Sequence, residues 1–353
     1  MEGIKKHWWK VLSIILMLYT LIFGLGTPLK PGILEVFPYN ATAGTQLRLN
    51  VKGYNTHYDN VENTAWLKID SNYYIQSKFC ASIAYNSVTA VFDIPQYLPS
   101  KDSIVVVNLI MSNEKDKGSL LPSAVFIKQN EIDSLQGVAP WSRSSSLEDV
   151  STMDEFRFPY RNVIYETVRN TFYHVALWFA MFILLIISLV YNVRYLRAPS
   201  LDLDSKAYAY TAVAILYGIL GLITGSIWAK FAWGAFWTTD VKLNMTAVAM
   251  LIYFAYLVLR SSIPDLDRRA KLSAVYSIFA FFALIALVFV IPRMTDSLHP
   301  GNGGNPAFGG EDLDHTLRLV FYPSILGFTL LGIWIASLKI RLSNVEDKLQ
   351  SQE

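Results

Sequence analysis

Trp228, Phe231, Trp233, Phe236 and Trp237 crowd into one short stretch that also contains Gly234 and ends on a carboxylate, Asp240. Flat aromatic faces set around a turn can bury the apolar body of a large planar ligand and stack against its rim. The same residues would also serve an interfacial aromatic belt, although a belt needs no fixed spacing, no glycine between rings and no terminal carboxylate. Two histidines flank the stretch in the chain: His174 in Phe172-Tyr173-His174-Val175, and His299 in Asp296-Ser297-Leu298-His299-Pro300. Neutral imidazoles from separate helices can take the two axial positions of an iron held in a planar macrocycle. Taken singly, each is as well explained as a solvated residue at a membrane surface. Asp240 has two candidate tasks, orienting a loop amide or a ligand-bound imidazole, or capping the helix that follows. Lys230, Lys242, Arg293 and Arg318 could meet anionic groups of a ligand, or could snorkel at the membrane edge. His7, His57 and His315 lie in poorer contexts.

These residues have to be positioned by membrane helices. About 20 apolar residues cross a bilayer, and six runs qualify: Trp8–Leu25, Thr171–Val193, Ala207–Ile227, Leu243–Leu259, Leu272–Ile291 and Leu317–Leu338. The first is read as an uncleaved anchor, since the segment after it offers no small-x-small cleavage site. Lys5, Lys6 and Lys10, then Arg194, Arg197 and Lys206, then Arg260, Arg268, Arg269 and Lys271, and finally Lys339, Arg341 and Lys348 all fall on one side. The excess of basic residues marks that side as cytoplasmic. Both termini are then cytoplasmic, and the aromatic loop, the His299 loop and the long segment after the first span face outward.

That outer segment reads as β structure. Runs at 46–51, 87–92, 103–110 and 123–127 are alternating or β-branched and are separated by polar turns. Strands at this spacing favour a sandwich. The opening from Pro31 to Tyr54 weakly resembles immunoglobulin-like domains of the IPT/TIG type. The expected organisation is a cytoplasmic N-terminus and first helix over 1–28, a β domain over 29–140 and a linker with an interfacial segment over 141–170. A five-helix membrane domain follows over 171–340, with its aromatic loop at 228–240, and then a cytoplasmic tail over 341–353. The fold class is thus an all-α polytopic membrane protein of six helices, with an outer β-sandwich-like domain inserted after the first.

Composition narrows the function. The 353 residues are 53% hydrophobic and 16% charged, too apolar for an ordinary soluble domain and too charged for membrane segments alone. A net charge of +2 without basic blocks gives nucleic acid no surface. The single Cys80 precludes an intrachain disulfide and the cysteine sets of zinc or iron–sulfur sites, and reads as a small buried hydrophobe. No phosphate loop is present, so any use of ATP belongs to a partner.

The run from Gly221 to Leu259 resembles the tryptophan-rich WWD segment of heme-handling membrane proteins, specifically the heme exporter protein C family of system I cytochrome c maturation. The order of motifs agrees: Tyr173-His174-Val175, Thr224 to Trp228, Trp233-Gly234, Trp237, Asp240, Leu298-His299 and His315-Thr316-Leu317-Arg318. The similarity covers roughly residues 168–345. It implies heme b as the ligand, His174 and His299 as axial ligands of its iron, and Trp228, Trp233, Phe236, Trp237 and Asp240 as the platform. It further implies residence in the bacterial inner membrane, with the heme site and β domain periplasmic. Implied partners are a periplasmic membrane-anchored heme chaperone, an ATP-binding transporter complex and a small membrane subunit. The chain departs from the family at Phe236 and Thr239, where tryptophan is usual, at Lys242 in place of arginine, at Thr246 in place of a carboxylate, and in its large outer domain. Heme delivery is the primary expectation. A cytochrome c heme lyase and a receptor or scaffold acting through the β domain are the alternatives.

Overall fold

The computed structural model describes residues 2–141, 156–162, 164–299 and 313–350. The chain forms two compact units, one of Pro28–Tyr165 and one of Met1–Thr27 with Glu166–Glu353. The second is helical: α1 (Glu2–Gly26), α3 (His174–Arg197), α4 (Leu201–Trp233), α5 (Val241–Ser261), α6 (Leu266–Ile285) and α7 (His315–Gln350). All six are long and apolar enough to cross a membrane, in agreement with the six apolar runs. A 3-10 segment, Tyr165–Phe172, leads into α3, and α6 relaxes through a π turn (Ala286–Val290) and a 3-10 turn (Ile291–Arg293).

Helix ends follow local chemistry. Pro199 disfavours helical backbone at Ala198, where α3 stops. Asp265 caps α6 by accepting from Arg268 N at 2.7 Å. α4 runs beyond the apolar run that suggested it, so Trp228 to Trp233 are its last turns and the loop proper is only Gly234–Asp240. Its Trp-Ala-Lys-Phe-Ala-Trp continuation contains no breaker until Gly234. That residue takes φ +81°, readily accessible to glycine, and its N–H closes the helix on Lys230 O at 3.1 Å.

α3 and α4 pack along their length through Leu177, Met181, Leu184, Val213, Ala214 and Tyr217, while α5 packs chiefly on α6. At the other end of α4 the Arg260 guanidinium meets Asp204, with Nη1 at 2.7 Å from Oδ1, and both side chains are nearly buried. Removing one partner leaves a buried charge, at a cost of about 3–5 kcal/mol. Arg260→Ala should therefore clearly lower the unfolding midpoint in detergent.

The Pro28–Tyr165 unit corrects the expectation of an all-α chain, which holds for the membrane-spanning unit only. Among the described residues it contains nine strands: β1 (Gly32–Phe37), β2 (Asn40–Thr42), β3 (Gln46–Tyr54), β4 (Thr64–Lys68), β5 (Tyr74–Gln76), β6 (Phe79–Ala84), β7 (Ser87–Asp93), β8 (Ile104–Asn113) and β9 (Lys117–Lys128). A short helix, α2 (Ser134–Val138), follows them. They form sheets of order β1-β3-β7-β6 and β2-β9-β8-β4-β5, antiparallel except for β2 on β9. Alternation sends Leu47, Leu49 and Val51 of β3 and Val105, Val107 and Leu109 of β8 into one core with Phe92, Val125 and Trp141. Both sheets have open edges and share one core. Cys80, half-buried on β6, packs against that core with Ser77 Oγ 3.4 Å from its sulfur.

Candidate functional site

His174 is the first residue of α3, and its ring lies against α4. Nδ1 stands 2.9 Å from Gly221 O and 3.2 Å from Thr224 Oγ1. A carbonyl only accepts, so the proton is on Nδ1 and the Nε2 lone pair is left for a metal. The seat for the ring is cut by glycines. A Cβ at Gly225 would come within 2.7 Å of His174 Cε1, and one at Gly221 within 2.7 Å of Trp178 Cε2. Trp178 in turn meets the imidazole edge to face at 6.2 Å. Gly225→Val should push His174 out of place and weaken the hold on any ligand bound through that imidazole by roughly the 10–100-fold typical of damage to a ligand's supporting shell. Membrane insertion and yield should not change, and ligand content per purified protein checks this.

The second group is built around Asp240. Its Oδ1 accepts from Lys242 N at 2.9 Å and Leu243 N at 3.3 Å, capping α5. The same oxygen is 3.3 Å from His299 Nδ1, while Oδ2 accepts from Leu298 N at 2.8 Å. One carboxylate thus performs both tasks foreseen for it: it starts α5 and ties the His299 segment to that start. Burial opposes its charge, but hydrogen bonds from Ser297 and Leu298 N–H, with the adjacent His299, hold it below the usual carboxylate range. As an ionised acceptor it fixes the His299 proton on Nδ1, again leaving Nε2 free. Burial, reinforced by the Lys242 charge, pushes the His299 imidazole down to about 4 against the pull of Asp240. It is therefore neutral at pH 7, the form that ligates iron.

Trp228 and Trp233, five residues apart at the end of α4, meet at 4.9 Å and surround His299 at 6.1 and 5.0 Å between ring centroids. His174 lies within electrostatic reach of His299 and Lys242, and Lys242 within that of Arg293. Phe236 and Trp237 stay apart from this ring cluster. They are 58% and 42% exposed, with Lys230 Nζ over Phe236 at 5.7 Å and Trp237 Nε1 donating to Asn244 Oδ1 at 3.1 Å. Lys230 also donates to Gly234 O at 2.9 Å, which fixes the turn. His315 opens α7 and is exposed.

Sequence reading missed Trp178, Ser297 and Asn244 as supports and did not separate Gly221 and Gly225 as the seat of His174. The four-residue spacing of those glycines was the available sign, because paired small residues let another helix approach closely. The donor set suits an iron with two open axial positions: two imidazoles, each with Nδ1 held and Nε2 available, beside aromatic rings and two cations. Among the described residues no three His, Cys, Asp or Glu gather as a site for a bare metal ion.

Residues 152–353 match the family model for heme exporter protein C. A heme exporter protein C from Bradyrhizobium diazoefficiens is 27% identical over 169 residues, which is 47% of this chain and 63% of that one. The protein of the same name from Paracoccus denitrificans is 30% identical over 186 residues, 50% of this chain and 72% of that one. A cytochrome c biogenesis protein CcsA from Prochlorococcus marinus is 41% identical over 77 residues, 22% of this chain and 24% of that one. Most of the β unit lies outside the family match.

Proposed function

The chain belongs to the heme exporter protein C family, and on that premise we propose that it binds heme b at the extracytoplasmic membrane face and delivers it to a periplasmic membrane-anchored heme chaperone during c-type cytochrome biogenesis. The observation that carries the reading is the matched treatment of two imidazoles. Gly221 O holds Nδ1 of His174 and Asp240 holds Nδ1 of His299, so both present Nε2 as a neutral donor. Heme supplies the iron and the planar apolar surface. Trp228 and Trp233 stack beside it, Lys242 and Arg293 meet its propionates, and Phe236 and Trp237 form the exposed rim from which it leaves.

Holding and releasing heme is ligand exchange, and no side chain here needs to make or break a covalent bond. The ATP-binding transporter complex and small membrane subunit of the pathway are the proposed membrane partners. The loop charges support cytoplasmic termini in the bacterial inner membrane, with the heme loop and an immunoglobulin-like β domain outside.

The test is transfer. Heme co-purified with the full chain in detergent should move to the purified chaperone without change in its pyridine hemochrome spectrum. If the chain alone attaches heme to an apocytochrome through thioether bonds, it is a lyase and the delivery reading fails. If wild-type protein from heme-replete cells carries no heme, the receptor or scaffold reading replaces it.

A further inference from the structure

α7 is longer than a bilayer requires. Its 36 residues rise about 54 Å, against a hydrocarbon core of about 30 Å. The apolar run within it ends at Leu338, and residues 339–350 continue the helix for roughly three further turns. Those turns carry an apolar stripe. Leu338, Leu342, Val345 and Leu349 recur at intervals of four, three and four, the a/d pattern of a coiled-coil seam. They are 49, 59, 53 and 59% exposed. On the opposite face Ala336 and Ile340 pack into the helical core, and to one side Lys339 Nζ lies over the Tyr208 ring at 4.8 Å. The helix is therefore held from behind, while the stripe points away from its own bundle.

The charges flanking the stripe say what covers it. With Leu342 and Leu349 at a, and Leu338 and Val345 at d, Arg341 takes position g and Glu346 position e. Residues five apart on one helix do not face each other. In a parallel pair of helices, g of one heptad meets e of the next heptad on the other helix, so Arg341 of each copy faces Glu346 of the other. The sequence repeats this spacing at Lys348 and Glu353, the latter outside the described residues. An antiparallel pair would instead set Arg341 against Lys348, two like charges. Copies inserted the same way in one bilayer send α7 out in parallel, so the membrane imposes the arrangement that the charges favour. Lipid is a poor alternative cover. No Gly or Pro follows Gly332 in α7, and a helix without them does not bend sharply enough to lay its stripe on the membrane surface.

We propose that the far end of α7 is a docking surface for a second copy of this chain, the two helices pairing in parallel through Leu338, Leu342, Val345 and Leu349. Nothing in this pairing depends on heme. The test uses the full chain. Light scattering in mild detergent should give the protein mass of two copies. In native membranes, mild oxidation should link Leu342→Cys into a disulfide dimer, but neither Ser343→Cys nor the wild type, whose one cysteine is Cys80. Glu346→Arg should weaken the pairing roughly tenfold. The double exchange Arg341→Glu/Glu346→Arg should restore it, a recovery that general damage to the helix would not give. Both side chains are exposed, so unfolding midpoints should match wild type. A monomeric wild-type mass together with no Leu342→Cys dimer in membranes overturns the proposal. So does linkage of Leu342→Cys to a different polypeptide, or a dimer that Glu346→Arg leaves unchanged.

Discussion

His174→Ala and His299→Ala are each expected to leave the purified protein with less than about a tenth of the wild-type heme, a larger loss than the roughly 10–100-fold range for supporting residues would set at its lower end. Each removes a proposed axial donor whose position the protein fixes from behind. For His174 the fixing groups are Gly221 O, at 2.9 Å, and the Gly225 groove. For His299 they are Asp240 and the two tryptophans, with ring centroids 5.0 and 6.1 Å away. Because these surroundings persist in the variants, free imidazole should re-enter the vacated space. Heme binding by His174→Gly and His299→Gly should recover in millimolar imidazole, whereas a variant that lost heme through misfolding would not recover. Heme per protein, by pyridine hemochrome and quantitative amino-acid analysis, reads both arms.

Asp240→Asn should cost nearly as much, and it separates the two duties of that carboxylate. Asparagine caps helices as well as aspartate does, so α5 should keep its start. The groups around the carboxylate, however, all act as donors: Lys242 N, Leu243 N, Leu298 N, His299 Nδ1 and the Ser297 hydroxyl. An amide must turn its NH2 toward one of them. If it takes the place of Oδ2 it faces Leu298 N–H and pushes the His299 segment away while the cap survives; in the place of Oδ1 it would face Lys242 N and Leu243 N as well as His299 and lose the cap, so the first placement is favoured. That placement predicts heme loss in the roughly 10–100-fold range with little change in unfolding midpoint. Asp240→Ala should add about 1 kcal/mol of lost capping. Heme content and thermal unfolding, measured together on both variants, check the separation. Equal heme content in wild type and Asp240→Asn would confine Asp240 to helix capping.

Much of this was legible because hydrophobic length and loop charge are properties of single segments. The six spans can be read from apolar runs of about 20 residues without knowing what packs on what. The strongly alternating strands β3 and β8 are likewise visible, since each has one face in the core. β4 is buried on both faces and β6 is an exposed edge, so neither alternates, and both were invisible to a period-two pattern. The end of α4 was misread for a related reason: apolar length marks where a helix fits the bilayer, whereas Gly234 decides where it stops. In the site, residue types pointed to His174, His299 and Asp240 individually. The bond from Asp240 to the His299 segment spans 59 residues and depends on tertiary packing that no local pattern encodes. Phe236 and Trp237 show the reverse, since the spacing grouped them with Trp228 and Trp233 while the turn at Gly234 leaves them on the exposed rim.

The most direct test of paired ligation is low-temperature electron paramagnetic resonance of the ferric heme in the full chain, recorded on wild type, His174→Ala and His299→Ala. Two neutral imidazoles on one iron predict a low-spin rhombic or highly anisotropic signal in wild type, and its replacement by a high-spin axial signal in whatever heme either variant retains. A wild-type spectrum that is already high-spin, or a low-spin signal that survives at full intensity in either variant, would contradict it.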